Sequence, residues 1–197
     1  MNQPLRLAVL ITHPIQYFRP VFAELAQQPG LELRVFFGCD HGRRTSLDPD
    51  FGVSFAWDVP AHEGFPHAFI SHVPLEQLSQ LRSALPLACR AARAISAWQP
   101  DQVLIFAYTP AFISLSTLLL KIQGQSLLLR ADGTDRAFPS SWLKSSFKDA
   151  VLRLWYRQFF HVFPIGADSD RHFARLGVAA SRRHPVLYAV DVDFFAQ

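Results

Sequence analysis

Residues 7–38 have the sequence LAVLITHPIQYFRPVFAELAQQPGLELRVFFG, and this stretch decides the fold. Two mainly apolar runs, residues 5–12 and 31–37, flank a segment in which apolar residues recur at helical spacing. Strands that are buried on both faces have mainly apolar sequences, which favours a parallel sheet covered by helices. Pro29-Gly30 ends the intervening helix. The stretch therefore predicts a β-α-β unit.

The rest of the chain continues this alternation of strands and helices. Five further strands are predicted at residues 54–58, 102–107, 126–130, 161–165 and 185–188. Helices are predicted at residues 86–98, 142–160 and 169–176, and after the Thr109-Pro110 turn. Residues 38–74 are rich in Gly, Pro, His and Asp, and form either an elaborated loop or a short β-excursion. We therefore predict an α/β fold with a Rossmann-like, doubly wound, mostly parallel sheet of about seven strands.

Composition restricts the class of protein. The chain has 197 residues, of which 50% are hydrophobic, so it has enough apolar material for one buried core. No apolar run approaches the roughly 18 to 20 residues that span a bilayer. The net charge of +3 comes from cations that are scattered along the chain, whereas nucleic-acid binding favours a basic stripe on a recognisable module. We expect a cytoplasmic protein without a nucleic-acid partner.

The loop after the first strand, Thr12-His13-Pro14-Ile15-Gln16-Tyr17, is the first candidate for a binding site. It leads into a helix N-terminus, where backbone amides attract anions. It contains neither the GxGxxG sequence of dinucleotide sites nor the GxxxxGK[ST] sequence of P-loops. His13 is either a ligand-facing residue or a histidine whose hydrogen bonds are satisfied at the end of a strand.

Two later loops also follow strands and carry polar side chains. Tyr108 ends the fourth predicted strand and is either a cleft residue or a core residue. Arg130 and Asp132 end the fifth, within the densest charged cluster of the chain, and bind hydroxyls, phosphate or each other. The histidines and cysteines lack metal-ligand spacing, and no GxSxG elbow occurs. We therefore predict neither a metal site nor a serine hydrolase.

Five segments of the chain resemble family-4-like glycosyltransferases of the GT-B architecture. After residues 7–38 come WQPDQVLIFAY, GQSLLLRADG, FFHVFPIGADSDRHFARLGV and PVLYAVDVDFF. The last segment resembles the hinge signature of this family, with Val190, Asp191, Asp193 and Phe195 in matching positions. The resemblance implies that residues 1–188 form the Rossmann-like N-terminal domain. Residues 189–197 would then begin the hinge to a C-terminal, donor-binding domain.

The resemblance also implies a function. This half would orient the acceptor while a sugar passes from a nucleotide-sugar, bound as substrate rather than cofactor, to a glycan or lipid-linked acceptor. The donor-binding domain would be supplied in cis or in trans. The implied cleft residues are His13, Gln16, Tyr17, Tyr108, Arg130 and Asp132. Two alternatives stay open, a non-catalytic binding lobe of a split transferase and one half of a GT-B sugar-nucleotide epimerase.

Residues 142–160 combine basic and aromatic side chains. Lys144 and Lys148 are four residues apart and share a helix face, with Trp155 predicted on the same side. Such a face suits the anionic inner surface of a membrane, although a core helix with two solvated lysines would have the same sequence pattern. We therefore expect either peripheral membrane contact or a core helix with two solvated lysines.

Overall fold

The structure is a computed structural model of the chain and describes residues 3–41, 46–47, 54–55, 61–135 and 142–189. The strands are β1 Leu5–Ile11, β2 Leu31–Phe37, β3 Ser46–Leu47, β4 Ser54–Phe55, β5 His67–Phe69, β6 Gln102–Phe106, β7 Leu127–Ala131 and β8 His161–Pro164. The helices are α1 Arg19–Ala26, α2 Leu81–Trp98, α3 Ala111–Ile122, α4 Trp142–Tyr156 and α5 Gly166–Arg175. In the described part of the chain, no helix combines the length and apolarity needed to cross a membrane.

The main sheet has six parallel strands in the order β5-β2-β1-β6-β7-β8. The parallel α/β architecture is thus confirmed, with six strands in place of about seven. Residues 54–55 pair antiparallel with residues 46–47 and lie outside the main sheet. Residues 185–188 form no strand. Among them only Val186 pairs, through an isolated bridge to Ile165, the residue after β8. The sixth position belongs instead to β5, a three-residue strand within the segment that was ambiguous from sequence.

Helices cover both faces of this sheet. Successive residues of β1 point to opposite faces, and Ala8 and Leu10 accordingly join a different buried cluster from Val9 and Ile11. The larger cluster packs the sheet against α2, α3, α4 and α5, whereas the smaller one packs it against α1. The apolar runs of the central strands are uninterrupted because both of their faces are buried.

Several helix ends differ from the predictions. α2 begins at Leu81 and includes Pro86 within the helix, whereas the prediction started at the proline. The N-cap residue of α3 is Pro110 rather than Thr109, and no side-chain hydrogen bond caps this helix. α4 ends at Tyr156, before the predicted end at residue 160. The C-terminal stop of α5 is as expected, with Gly177 in the left-handed region at φ 86°.

The strand order fixes where ligands are expected to bind. The chain leaves β1 toward β2 on one side and returns after β5 to place β6 on the other side. In doubly wound sheets, the crevice at this reversal lies beyond the carboxyl ends of the strands. The ends of β1, β6 and β7 meet at that edge.

Candidate functional site

A cleft of about 160 Å³ lies at the carboxyl edge of the sheet, where β1, β6, β7 and β8 end. Its walls come from strand ends, the loop after β1 and the segment that follows α5 in the chain. The lining residues are Ile11, Thr12, Ile15, Tyr17, Phe18, Phe106, Ala107, Thr109, Arg130, Ala131, Asp132, Ile165 and Tyr188. The cleft is mainly apolar with few polar groups, which is the usual character of small-molecule sites.

Arg130 is the central cation of this cleft. Its guanidinium carbon lies 4.7 Å from the ring centre of Phe18, 5.0 Å from that of Phe106 and 5.3 Å from that of Tyr188. We call this arrangement the Arg130 aromatic cage. Burial among the rings lowers the pKa of Arg130 from its ordinary value, although an arginine stays charged at any physiological pH. The rings attract the cation through their π faces.

Asp132 does not form an ion pair with Arg130. Within the described residues, no carboxylate oxygen lies within 4.0 Å of the Arg130 guanidinium nitrogens, and no side-chain acceptor binds them. Asp132 instead accepts a hydrogen bond from the Tyr188 hydroxyl at 3.3 Å. The mutual ion pair considered from sequence is therefore absent, and both charged groups face the cleft.

Two tyrosines border the cleft. Tyr17 is 43% exposed, and its ring lies 5.7 Å from that of Tyr188 and 4.4 Å from that of Phe18, edge to face. Burial raises the pKa of both phenols, more than offsetting the opposite effect of the Arg130 charge on Tyr17. Both hydroxyls are therefore protonated at neutral pH, and Tyr188 uses its proton in the hydrogen bond to Asp132.

His13, Gln16 and Tyr108 lie near the cleft but are not among the described residues that line it. The His13 Nδ1 lies 2.9 Å from the Thr12 hydroxyl, and its ring lies 5.3 Å from the ring of His41. Burial, with a smaller contribution from His41, lowers the pKa of His13 to about 4, so its imidazole is neutral at pH 7. Gln16 begins a short 3-10 helix. The Tyr108 ring lies 6.5 Å from the ring of Tyr156.

Of the six candidate residues, Tyr17, Arg130 and Asp132 thus come together in one cleft. Phe18 and Tyr188 were not predicted as cleft residues, because Phe18 fits the apolar spacing of the first helix and Tyr188 ends a predicted strand. A polar-aromatic residue next to the hinge-like segment was the only signal that pointed to Tyr188. Val190, Asp191, Asp193 and Phe195 lie outside the described residues.

A second polar cluster supports the loop after β7. Asp135 accepts hydrogen bonds from Arg175 Nε at 2.9 Å and Nη2 at 2.7 Å, and its Oδ1 lies 2.7 Å from His172 Nδ1. Arg175 also pairs with Asp149 of α4. These partners hold the pKa of Asp135 at about 2, with the Arg175 hydrogen bonds as the largest cause. The other ring nitrogen of His172, Nε2, lies 3.2 Å from the buried Tyr156 hydroxyl.

Within the part of the chain that the structure describes, no three His, Cys, Asp or Glu side chains form a group that could hold a metal ion. The cleft therefore offers arginine, carboxylate and phenol groups. Such groups recognise hydroxyls and anions directly.

No family model matches the chain, and no curated protein matches it either. Solved structures do match. A UDP-N-acetylglucosamine 2-epimerase from Rickettsia bellii is similar with a TM-score of 0.62 and 11% identity over 93% of this chain. A protein described as the same epimerase from Listeria monocytogenes has a TM-score of 0.58 and 15% identity over 93% of this chain. MurG from Acinetobacter baumannii has a TM-score of 0.53 and 14% identity over 94% of this chain.

The chain spans less than half of each matched structure, 44% of both epimerases and 46% of MurG. Identities this low establish the fold alone. Together with the six-stranded parallel sheet, they show that this chain has the Rossmann-like fold of a GT-B N-terminal domain.

Proposed function

We propose that this chain is the acceptor-side half of a glycosyltransferase that moves a sugar from a nucleotide-sugar donor to a glycan or lipid-linked acceptor. The observation that carries the proposal is the juxtaposition of Arg130, Asp132 and two tyrosines at the carboxyl edge of a GT-B-type sheet. The sequence segments that resemble family-4-like glycosyltransferases favour transfer over other GT-B chemistry.

In this reaction, the acceptor hydroxyl oxygen bonds to the anomeric carbon of the donor sugar. The bond from that carbon to the diphosphate breaks, the nucleoside diphosphate leaves with the electron pair, and the hydroxyl loses its proton. Asp132 is placed to accept a hydrogen bond from an acceptor hydroxyl, while Tyr17 donates to an acceptor oxygen and Tyr188 holds Asp132 through its own hydroxyl. These residues orient the acceptor, which by itself contributes much of the rate enhancement in bimolecular reactions.

The donor nucleotide would bind a second domain, joined to this chain or supplied as a separate polypeptide. This chain spans less than half of each matched structure, which supports the need for a second domain. We further propose that the protein acts in the cytoplasm and touches the inner face of the membrane through α4, close to lipid-linked acceptors of cell-envelope polysaccharide.

The second candidate function is one half of a sugar-nucleotide epimerase, which the names of two of the matched structures favour. An epimerase returns its nucleotide-sugar with altered stereochemistry and needs no acceptor. A transferase releases nucleoside diphosphate only when an acceptor is present. The two products therefore distinguish the candidates.

The proposal is tested with the chain joined to a GT-B donor-binding domain, incubated with UDP- and GDP-sugars and with glycan or lipid-linked acceptors. We expect acceptor-dependent release of nucleoside diphosphate by the joined protein and no transfer by the chain alone. The Arg130→Ala and His13→Ala variants should stay folded but lose transfer. Turnover by the chain alone, or epimerised nucleotide-sugar without diphosphate release, would contradict the proposal.

A further inference from the structure

We propose that the Arg130 aromatic cage binds the phosphate group of a sugar phosphate, so that the acceptor of the proposed reaction is an anionic, phosphorylated sugar rather than a neutral glycan. This inference rests on the proposed function and adds the chemical class of the acceptor. The phosphate belongs either to a free sugar phosphate or to a lipid-linked sugar, and the cage recognises the chemistry that the two share.

The Arg130 guanidinium lies among aromatic rings and has no oxygen acceptor among the described side chains. Phe18, Phe106 and Tyr188 surround the cation at 4.7 to 5.3 Å. Aromatic rings attract a cation electrostatically but offer no oxygen acceptor to its N–H donors. The five N–H donors therefore need oxygen acceptors, and none comes from a described side chain.

A phosphate group fits this edge better than a neutral hydroxyl. The guanidinium donors are spaced to bind two oxygens of a phosphate at once, and such charge-assisted pairs are about twice as strong as neutral hydrogen bonds. The surrounding rings reduce the exposure of Arg130 to water, which strengthens its attraction for an anion. A neutral glycan would leave the Asp132 carboxylate, which lies beyond ion-pair distance, as the counter-charge of this partly buried cation.

Asp132 supplies the sugar half of the recognition. Its Oδ2 accepts from the Tyr188 hydroxyl at 3.3 Å, which leaves its other lone pairs to a ligand. A carboxylate repels phosphate but accepts strongly from a sugar hydroxyl. Tyr17, which is 43% exposed at the cleft border, offers a ring face to the C–H surface of a pyranose. An anion at Arg130 and a hydroxyl at Asp132 together describe a phosphorylated sugar.

Isothermal titration of the purified chain tests the proposal with four probes: α-D-glucose 1-phosphate, methyl α-D-glucoside, inorganic phosphate and UDP. We expect glucose 1-phosphate to bind most tightly, phosphate more weakly, and the neutral glucoside not at all. Arg130→Gln should weaken glucose 1-phosphate binding by about tenfold or more, because a charge-assisted bidentate contact is lost. Arg93→Gln, which removes an exposed arginine of α2, is the matched control and should bind like the wild type.

Arg130→Lys provides a second variant if the Gln variant does not fold, since it keeps the charge and the apolar stem but loses the fork. We expect it to bind glucose 1-phosphate more weakly than the wild type. Unchanged binding in every folded Arg130 variant would overturn the proposal, as would equal affinity for the neutral glucoside. UDP binding that depends on Arg130 without glucose 1-phosphate binding would also overturn it, because the cage would then serve the donor.

A competition titration distinguishes the two sources of the phosphate. The competitor is a polyprenyl-phosphate sugar carried in vesicles of anionic or of neutral lipid. Competition by the lipid-linked sugar assigns the cage to lipid acceptors, and its absence assigns the cage to free sugar phosphates. Failure of the proposed function is distinguishable, since binding of glucose 1-phosphate without sugar transfer leaves the site assignment intact. Transfer to a neutral acceptor that is indifferent to Arg130 would contradict the acceptor class while supporting the transferase.

Discussion

Burial controls the protonation of His13 at the end of β1. Its ring lies beside the Thr12 hydroxyl and the ring of His41, and the loss of water around it lowers its pKa from 6.5 to about 4. Charging this histidine in the folded state is therefore unfavourable at pH values where the unfolded chain binds a proton. The free energy of unfolding therefore depends on pH through His13.

We predict that the free energy of unfolding decreases as the pH falls from 6.5 to 4. In that window the unfolded chain binds one proton at His13 that the folded chain excludes, because the folded pKa is the lower of the two. One proton gives a slope of at most about 1.4 kcal/mol per pH unit. The slope is measured by urea unfolding at several pH values.

The His13→Gln variant isolates this contribution, because it removes the titrating group and keeps a side chain that can bond to Thr12. Its unfolding free energy should vary less steeply than that of the wild type between pH 4 and 6.5. Parallel curves for the two proteins would show that His13 titrates normally in the folded state.

At the scale of a single element, α4 exposes an apolar stripe. Phe147 is 74% exposed, Val151 49% and Leu154 62%, and their spacing places them on one face of the helix. Lys148 and Arg153 are exposed on the same helix. Trp155, which was predicted on the exposed side, is half-buried and packs beside Phe159 against the core. The membrane-facing surface we propose therefore consists of Phe147, Val151 and Leu154 with these cations.

We predict that the protein sediments with anionic lipid vesicles at low salt and not with neutral ones. Apolar side chains enter the interface, and each nearby cation contributes about 1 kcal/mol toward an anionic surface. The Phe147→Ser/Leu154→Ser double variant should sediment less, and Lys148→Glu should shift binding to lower salt. Co-sedimentation over a salt series measures both effects.

Leu81→Ser gives a matched control, because Leu81 is 70% exposed at the start of α2 and lies outside the proposed surface. It should sediment like the wild type. If the α4 variants also sediment like the wild type, or if no variant binds vesicles, α4 is an ordinary surface helix. The side chain of Lys144 lies outside the described residues, so its part in the surface stays a prediction.

At the scale of the whole molecule, the strands buried on both faces were predictable from sequence and the edge of the sheet was not. The runs that became β1 and β7 are mainly apolar because most of their residues are buried between the layers that cover the two faces of the sheet. β5 has only three residues, all half-buried, and pairs with β2 across a long intervening segment. Its position depends on long-range pairing, which local composition does not encode.

The candidate site also has a part that was predictable from sequence and a part that was not. Arg130 and Asp132 were identifiable because they directly follow a strand of a parallel sheet, where ligands bind. The Arg130 aromatic cage was not, because Phe18, Phe106 and Tyr188 are far apart in sequence and meet only in the folded chain. Tyr188 reaches Asp132 because the segment after α5 pairs with β8.

The cluster around Asp135 joins three parts of the molecule that no single element holds together. Asp135 lies on the loop after β7, His172 and Arg175 on α5, and Tyr156 on α4. The Arg175 and His172 contacts keep the pKa of Asp135 at about 2, below its ordinary value of 3.8. The cluster thereby fixes the loop that carries Asp132 into the cleft.

We predict that Asp135→Asn lowers the free energy of unfolding at pH 7 by about 1 kcal/mol, a modest value because the carboxylate is partly exposed and its ion pairs are screened. Asparagine keeps an oxygen that accepts from His172, so the variant removes mainly the charge. A depressed pKa stabilises the fold above pH 3.8 and loses that contribution as the pH falls toward 2. The difference in unfolding free energy between the two proteins should therefore be constant from pH 7 to about 4 and shrink below that.

Urea unfolding over this pH range measures the difference, with Glu63→Gln, at an exposed position, as the control. A variant as stable as the wild type at pH 7, or a difference that grows on acidification, would show that Asp135 does not stabilise the fold through its charge.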